Sequence, residues 1–173
     1  MLQHDERTQQ ALSYIRHQAS KSLADLRALI ERTAAACGRC LKGVSEGQGR
    51  FKPGDEWSVK EVLDHLIYAT ALVTERIHDL AARKAPRPFT ADSNAGRSMQ
   101  PIQELRQEMA RLLEETVTLV GSLPEGDPPP GTWEHPSLGP LNCKELIALH
   151  RLHVMDHVQQ IEKIKADPGY PAS

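Results

Sequence analysis

The residues best suited to chemistry are histidines on predicted helices. His153 and His157 lie one helical turn apart in the segment Asn142–Lys165. At about 100° per residue their directions differ by about 40°, so both imidazoles project from one face with Cβ atoms about 6 Å apart. That spacing suits the capture of one metal ion by both rings.

A third histidine, His65, lies three residues after Val62 and four before Ala69, on the apolar stripe of an earlier helix. Burying imidazoles without partners costs on the order of 1 to 3 kcal/mol per unpaired nitrogen, and a shared cation removes that cost. Neutral imidazole suits Zn, Ni, Cu and Fe, and three protein ligands leave a position for water or substrate. The sequence therefore predicts a divalent metal site formed by His65, His153 and His157, with the catalytic residues unknown.

Other interpretations of the neighbouring side chains stay open. A lone histidine on an apolar face is more often a hydrogen-bonded core residue, and His150, about 60° from His153, forms a conceivable alternative pair. Asp156 either accepts a hydrogen bond from a ligand imidazole or lies in solvent. Gln160 either contacts a ligand histidine or a bound water, or completes a polar layer.

The cysteines carry a weaker signal. Cys37 and Cys40 form a C-x-x-C pair near the end of a predicted helix, where the helix dipole disfavours a thiolate. Cys143 alone does not provide the second pair that a thiolate zinc site requires. We expect all three to be small core residues.

Four amphipathic helices are predicted to position these residues, and no strand pattern is visible. Ser58 with Glu61 forms a capping box that begins the second helix, and Trp57 is placed to pack on Val62 as a hydrophobic staple. Asn142 begins the fourth helix with the same spacing to a glutamate. The predicted helices span approximately Thr8–Cys40, Ser58–Arg83, Pro101–Val120 and Asn142–Lys165.

Two connections are long. The one at 85–96 is long enough to cross the bundle, and five prolines between Gly126 and Pro140 favour an extended surface loop. Trp133 and His135 in that loop either cover the metal site or anchor the loop. The fold class is therefore all-α, a four-helix bundle with a long crossover between helices two and three, in one domain over 1–173.

The composition of the chain indicates which kinds of binding partner and which cellular compartment to expect. The chain has 173 residues, 39% of them hydrophobic, and a formal charge of -2 without a run of basic residues, so nucleic acid is not expected. The polar start and the lack of about 20 consecutive apolar residues argue against a signal peptide or a membrane span. Three cysteines, an odd and sparse set, suggest reduced thiols, and we expect a cytoplasmic protein.

Two segments, EWSVKEVLDHLIYA and HPSLGPLNCKELIALHRLHVMDHVQQI, resemble the signature segments of the DinB-like family of damage-inducible bacterial proteins. The first matches the family's W-S-x-x-E-x-x-x-H-L block. The second matches its H-P-x-x-G stretch and its H-x-x-x-H-x-x-Q-I block. The matching positions are Trp57, Ser58, Glu61, His65 and Leu66, then His135, Pro136, Gly139, His153, His157, Gln160 and Ile161.

The resemblance implies a four-helix bundle, often dimeric, with nickel or zinc on the three histidines. Relatives include thiol-dependent transferases and a mycothiol-dependent maleylpyruvate isomerase. The expected function is therefore a metal-dependent thiol transferase or related hydrolase acting on small electrophilic molecules, with a low-molecular-weight thiol as partner and a homodimer as one expected state. The alternatives are a metal-stabilised bundle that binds or senses a small ligand, and a metal-free helical interaction module.

Overall fold

The computed structural model describes residues 2–88, 96–126 and 128–172, without the side chains of 2–5 and 7. Helices dominate these residues, which confirms the all-α prediction. None of the described helices combines the length and the apolar character needed to cross a membrane. The elements are α1 (Leu2–Ala19), α2 (Leu23–Leu41), α3 (Glu46–Arg50), α4 (Val59–Ala81), a 3₁₀ turn (Arg97–Met99), α5 (Ile102–Ser122), β1 (Trp133–His135), β2 (Gly139–Leu141) and α6 (Cys143–Lys165).

The single first helix predicted from Thr8 to Cys40 is wrong, because the chain breaks between α1 and α2. Ser22 caps α2, and its side chain accepts a hydrogen bond from the N–H of Asp25 at 3.1 Å. The three- and four-residue spacing of apolar residues continues from α1 into α2, so this spacing alone did not reveal that the helix is interrupted. The two helices pack on different partners: α1 packs against α6, and α2 packs against α5 and α6.

The helices α4 and α5 run parallel. The Glu46 carboxylate accepts from Nζ of Lys60 at 2.6 Å and from the N–H of Ile102 at 2.8 Å, so the first turns of both helices lie together. From Lys60 to Thr74 and from Ile102 to Thr116 each helix advances 14 residues, and the two threonine hydroxyls are 2.7 Å apart. The connection between α4 and α5 must therefore return along the length of α4.

That connection is fastened to α4 by one buried carboxylate. Asp64, on the second turn of α4, accepts from the N–H groups of Arg97 at 2.9 Å and Ser98 at 3.1 Å. Residues 89–95 lie outside the described part of the chain. The end of the connection thus meets the first half of α4, just before α5 begins.

In contrast, α6 runs antiparallel to α4. Val59 at the start of α4 and Ile164 near the end of α6 belong to one apolar cluster. Leu80 near the end of α4 and Leu146 near the start of α6 belong to a second one. The side chains of α4 and α6 that face each other therefore come from positions far apart in the sequence.

Both of these helices begin as predicted. Ser58 accepts from the N–H of Glu61 while the Glu61 carboxylate accepts from the N–H of Ser58. Asn142 and Glu145 form the same reciprocal pair at the start of α6. A capping box fixes the first turn of a helix, so each site helix starts at a defined residue.

The proline-rich segment contains a short antiparallel hairpin, so the prediction that no strand occurs is wrong. Trp133 pairs with Leu141 and His135 with Gly139, whose φ of +73° suits glycine. Trp133 is buried, and its Nε1 donates to the carbonyl oxygen of Arg87 at 3.1 Å. Its role is therefore to anchor the loop, the second of the two roles considered for it.

All three cysteines are free and buried, as expected of core residues. Burial raises the pKa of Cys37 and of Cys143 to about 11 each. Burial, with the nearby Glu162 carboxylate, raises the pKa of Cys40 to about 12. The thiols therefore stay protonated at neutral pH, which argues against a redox role for the C-x-x-C pair.

His150 is a buried polar residue of α6. Its side chain is 2% exposed, and neither ring nitrogen has a hydrogen-bond partner among the described residues. Burial lowers the pKa of His150 to about 4, because the apolar surroundings disfavour the charged ring. The ring is neutral in the folded protein at neutral pH.

We expect replacement of His150 by Leu to reduce the loss of stability in mild acid. The unfolded ring takes up a proton below about pH 6.5, whereas the folded ring does so only near pH 4. Wild-type stability is therefore lost as pH falls through this window, by about 2 kcal/mol at pH 5 from this residue alone. Urea unfolding at pH 7 and pH 5 measures it, and equal losses in both proteins would contradict the assignment.

Candidate metal centre

Three imidazoles converge between α4 and α6. Nε2 of His153 lies 3.0 Å from Nε2 of His65 and 3.1 Å from Nε2 of His157. One possible ligand atom from each ring lies within 4.8 Å of the other two. The structure thus brings His65 next to His153 and His157 on α6, as the sequence predicted. All three side chains are partly buried.

Gln160 orients one of these rings. Nδ1 of His157 donates to Oε1 of Gln160, at 2.7 Å. A neutral imidazole with its proton on Nδ1 has a lone pair on Nε2, the atom that faces His153. Of the two roles left open for Gln160, the structure supports the contact with a candidate ligand histidine.

The geometry of the three nitrogens fits a bound cation. With metal–nitrogen bonds of about 2.0 to 2.1 Å, neighbouring ligand nitrogens lie about 2.9 Å apart at a right angle and about 3.3 Å apart at the tetrahedral angle. The observed separations of 3.0 and 3.1 Å fall in that range. Lone pairs this close repel unless a proton or a cation lies between them, so the cluster could bind a metal.

The electrostatic surroundings keep two of the rings neutral. Burial, reinforced by the neighbouring His157 and His65, lowers the pKa of His153 to about 3. Burial also lowers the pKa of His157, although its hydrogen bond to Gln160 acts in the opposite direction. A metal binds the neutral ring, so at neutral pH protons compete little for these two nitrogens.

Three other side chains considered from the sequence lie outside this cluster. His150 is enclosed in the core and is not in the group whose ligand atoms could hold one ion. Asp156 is exposed, and the His157 Nδ1 donates instead to the amide oxygen of Gln160. His135 accepts at Nδ1 from the N–H groups of Ser137 and Leu138, within its own turn.

Trp57 is a site residue that the sequence pattern did not assign to the site. Its packing on Val62 stays a prediction, and in the structure its ring centroid lies 5.4 Å from that of His65 and 6.4 Å from that of His157. Its plane is within 7° of the His157 ring plane. The signal that could have revealed this was its position eight residues before His65, immediately before the capping box that begins the helix of His65.

A cavity of about 660 Å³ adjoins His157, and we call it the mouth. It gives a small molecule in solvent a route to His157, one of the three rings. A cluster of three nitrogen donors beside an open cavity is the arrangement in which a metal keeps a position for water or substrate. The mouth is lined by Asp55, Glu56, Trp57, His157 and Gln160.

Comparison with known proteins identifies the family of the chain. Residues 26–161 match the family model described as the DinB superfamily. The chain is also similar to the uncharacterized protein YuaE of Bacillus subtilis (strain 168), with 27% identity over 143 residues that cover 72% of this chain and 88% of that protein. The matched range contains α4, α5, α6 as far as Ile161, and all three histidines. The chain belongs to the DinB superfamily.

Proposed function

We propose that this protein is a metal-dependent enzyme in which His65, His153 and His157 hold one divalent cation. The site lies within a four-helix bundle formed by α2, α4, α5 and α6. The observation that carries the proposal is the convergence of three imidazole Nε2 atoms from two helices, with separations of 3.0 and 3.1 Å. Nickel and zinc are the proposed ions, because the resemblance to the DinB-like family implies one of them and neutral imidazole suits both.

The proposed reaction is attack of a low-molecular-weight thiol, or of water, on a small electrophilic molecule. A carbon–sulfur or carbon–oxygen bond forms, the bond to a leaving group such as a halide breaks, and the nucleophile loses its proton to solvent. A bound divalent cation lowers the pKa of a ligating thiol or water and so supplies a nucleophile at neutral pH. Gln160 holds the His157 ring with Nε2 directed at the cluster. The mouth admits the substrate from the side of Trp57 and His157.

We expect the purified protein to bind one equivalent of Zn²⁺ or Ni²⁺, and His153→Ala to bind at least about 100-fold more weakly. Nε2 of His153 lies close to Nε2 of both His65 and His157, so the variant keeps only two of the three nitrogen ligands. Isothermal titration calorimetry and elemental analysis measure affinity and stoichiometry. The control is His78→Ala, on an exposed position of α4. Unchanged affinity in His153→Ala would refute the proposed ligand set.

Replacing Gln160 by Ala is expected to weaken metal binding about 10- to 100-fold, because the His157 ring loses the acceptor that fixes its tautomer. Gln160→Glu keeps an acceptor at the same place and should retain most of the affinity. The matched control is Gln159→Ala, at the exposed neighbouring position. If both alanine variants bind metal like the wild type, Gln160 does not orient the ligand.

Catalysis is tested with the metal-loaded protein, an electrophilic aryl halide and glutathione, bacillithiol or mycothiol in turn. We expect turnover with at least one thiol, and expect the rate to fall to the uncatalysed level after chelation and in His153→Ala. Absorbance of the thioether product follows the reaction. Tight thiol binding without turnover would instead favour the ligand-sensing alternative.

A further inference from the structure

The indole of Trp57 is exposed in an unusual place. Its side chain is 42% exposed, among only a few large apolar side chains with such exposure in the described residues. It lies on the wall of the mouth, next to two of the three candidate metal ligands. When a ligand covers this exposed apolar ring, the burial of apolar surface favours binding.

The position of the ring is well determined by its surroundings. Trp57 directly precedes the capping box of Ser58 and Glu61, which fixes where the chain enters α4. Its ring is tilted by 56° against His65 and is nearly parallel to His157. A wall that is already in place binds a partner at a lower entropic cost than a loop that must be ordered.

The side chains around Trp57 disfavour a second negative charge on a ligand that already binds the metal through its thiolate. Asp55 and Glu56 contribute two carboxylates to its lining, and Nζ of Lys163 lies 3.6 Å from the Glu56 carboxylate. One ammonium group against two carboxylates leaves these rim side chains net negative, whereas the proposed divalent cation places its positive charge at the three histidines, where it attracts the thiolate. A ligand with its own carboxylate next to the indole would be repelled.

We propose that Trp57 is a specificity-determining residue that forms the aromatic wall of a substrate subsite, and that this subsite takes an uncharged planar group, such as an aryl ring, on the molecule that reaches the metal. The inference rests on the proposed metal-dependent function. The inference adds the class of chemical group that the site accepts. This group is planar, apolar and without negative charge, and it lies beside the atom of the ligand that binds the metal.

The test uses cobalt-loaded protein and compares benzyl mercaptan with ethanethiol. Thiolate-to-cobalt charge-transfer absorption reports binding of either thiol without any need for turnover. We expect benzyl mercaptan to bind about three- to tenfold more tightly, as for a typical aromatic pair, with Trp57→Phe retaining most of this preference and Trp57→Ala losing it. An unchanged preference in Trp57→Ala would overturn the inference.

Two further thiols test whether the planar shape of the ligand, rather than its apolar area, determines binding, and whether a negative charge on the ligand weakens it. Cyclohexylmethanethiol has a similar apolar area without a planar ring and should bind less tightly than benzyl mercaptan. The carboxylate of 4-(mercaptomethyl)benzoate should weaken binding relative to benzyl mercaptan, and Asp55→Asn combined with Glu56→Gln should reduce this difference. Tighter binding of the benzoate, or equal binding of the cyclohexyl compound, would overturn the assignment of an uncharged planar group.

Failure of the inference and failure of the proposed function give different results. Cobalt stoichiometry is measured first, and a protein that binds no cobalt contradicts the metal site itself. Normal cobalt and ethanethiol binding together with an aromatic preference independent of Trp57 contradicts the subsite alone. Circular dichroism and thermal melting of Trp57→Ala and Trp57→Phe check that both variants keep the fold, as expected for a partly exposed side chain.

Discussion

The packing of α4 against α6 is the interaction on which the candidate site depends. One ring comes from α4 and two come from α6, so the three nitrogens meet only while the antiparallel helices hold one register. Buried aliphatic side chains around the site maintain that register, since a slip of one residue would turn each ring away from the others. They include Val62, Leu66, Val154, Val158 and Ile161.

Burial then determines the chemistry of the rings. Burial disfavours the charged imidazolium, so it lowers the pKa of His153 and of His157 and favours the neutral ring, the form that binds a metal. An isolated buried histidine such as His150 shows the same loss of charge without any convergent partner. The difference between a core histidine and a candidate ligand is therefore the presence of other donors at the right distance.

Much of this arrangement could be predicted from the sequence, because it depends on local spacing. The four-residue step from His153 to His157 and the capping boxes at Ser58 and Asn142 are local patterns, and the structure has them. The break before Ser22 was missed because apolar residues on α1 and α2 continue one pattern while facing different partners. The hairpin of Trp133 is too short for a strand signal, and the contact of Trp57 with His157 is long-range, so neither follows from local pattern.

The parallel course of α4 and α5 places the candidate ligands far apart along the chain. His65 and His153 are separated by 88 residues, although their Nε2 atoms are 3.0 Å apart. An ion shared by these rings would close a loop that contains the whole of the connection and α5, and closing so large a loop removes much of the conformational freedom of the unfolded chain. The metal would then act as a removable cross-link. It would bind tightly only after α4 and α6 have packed together, so metal binding would measure the folding of the chain between them.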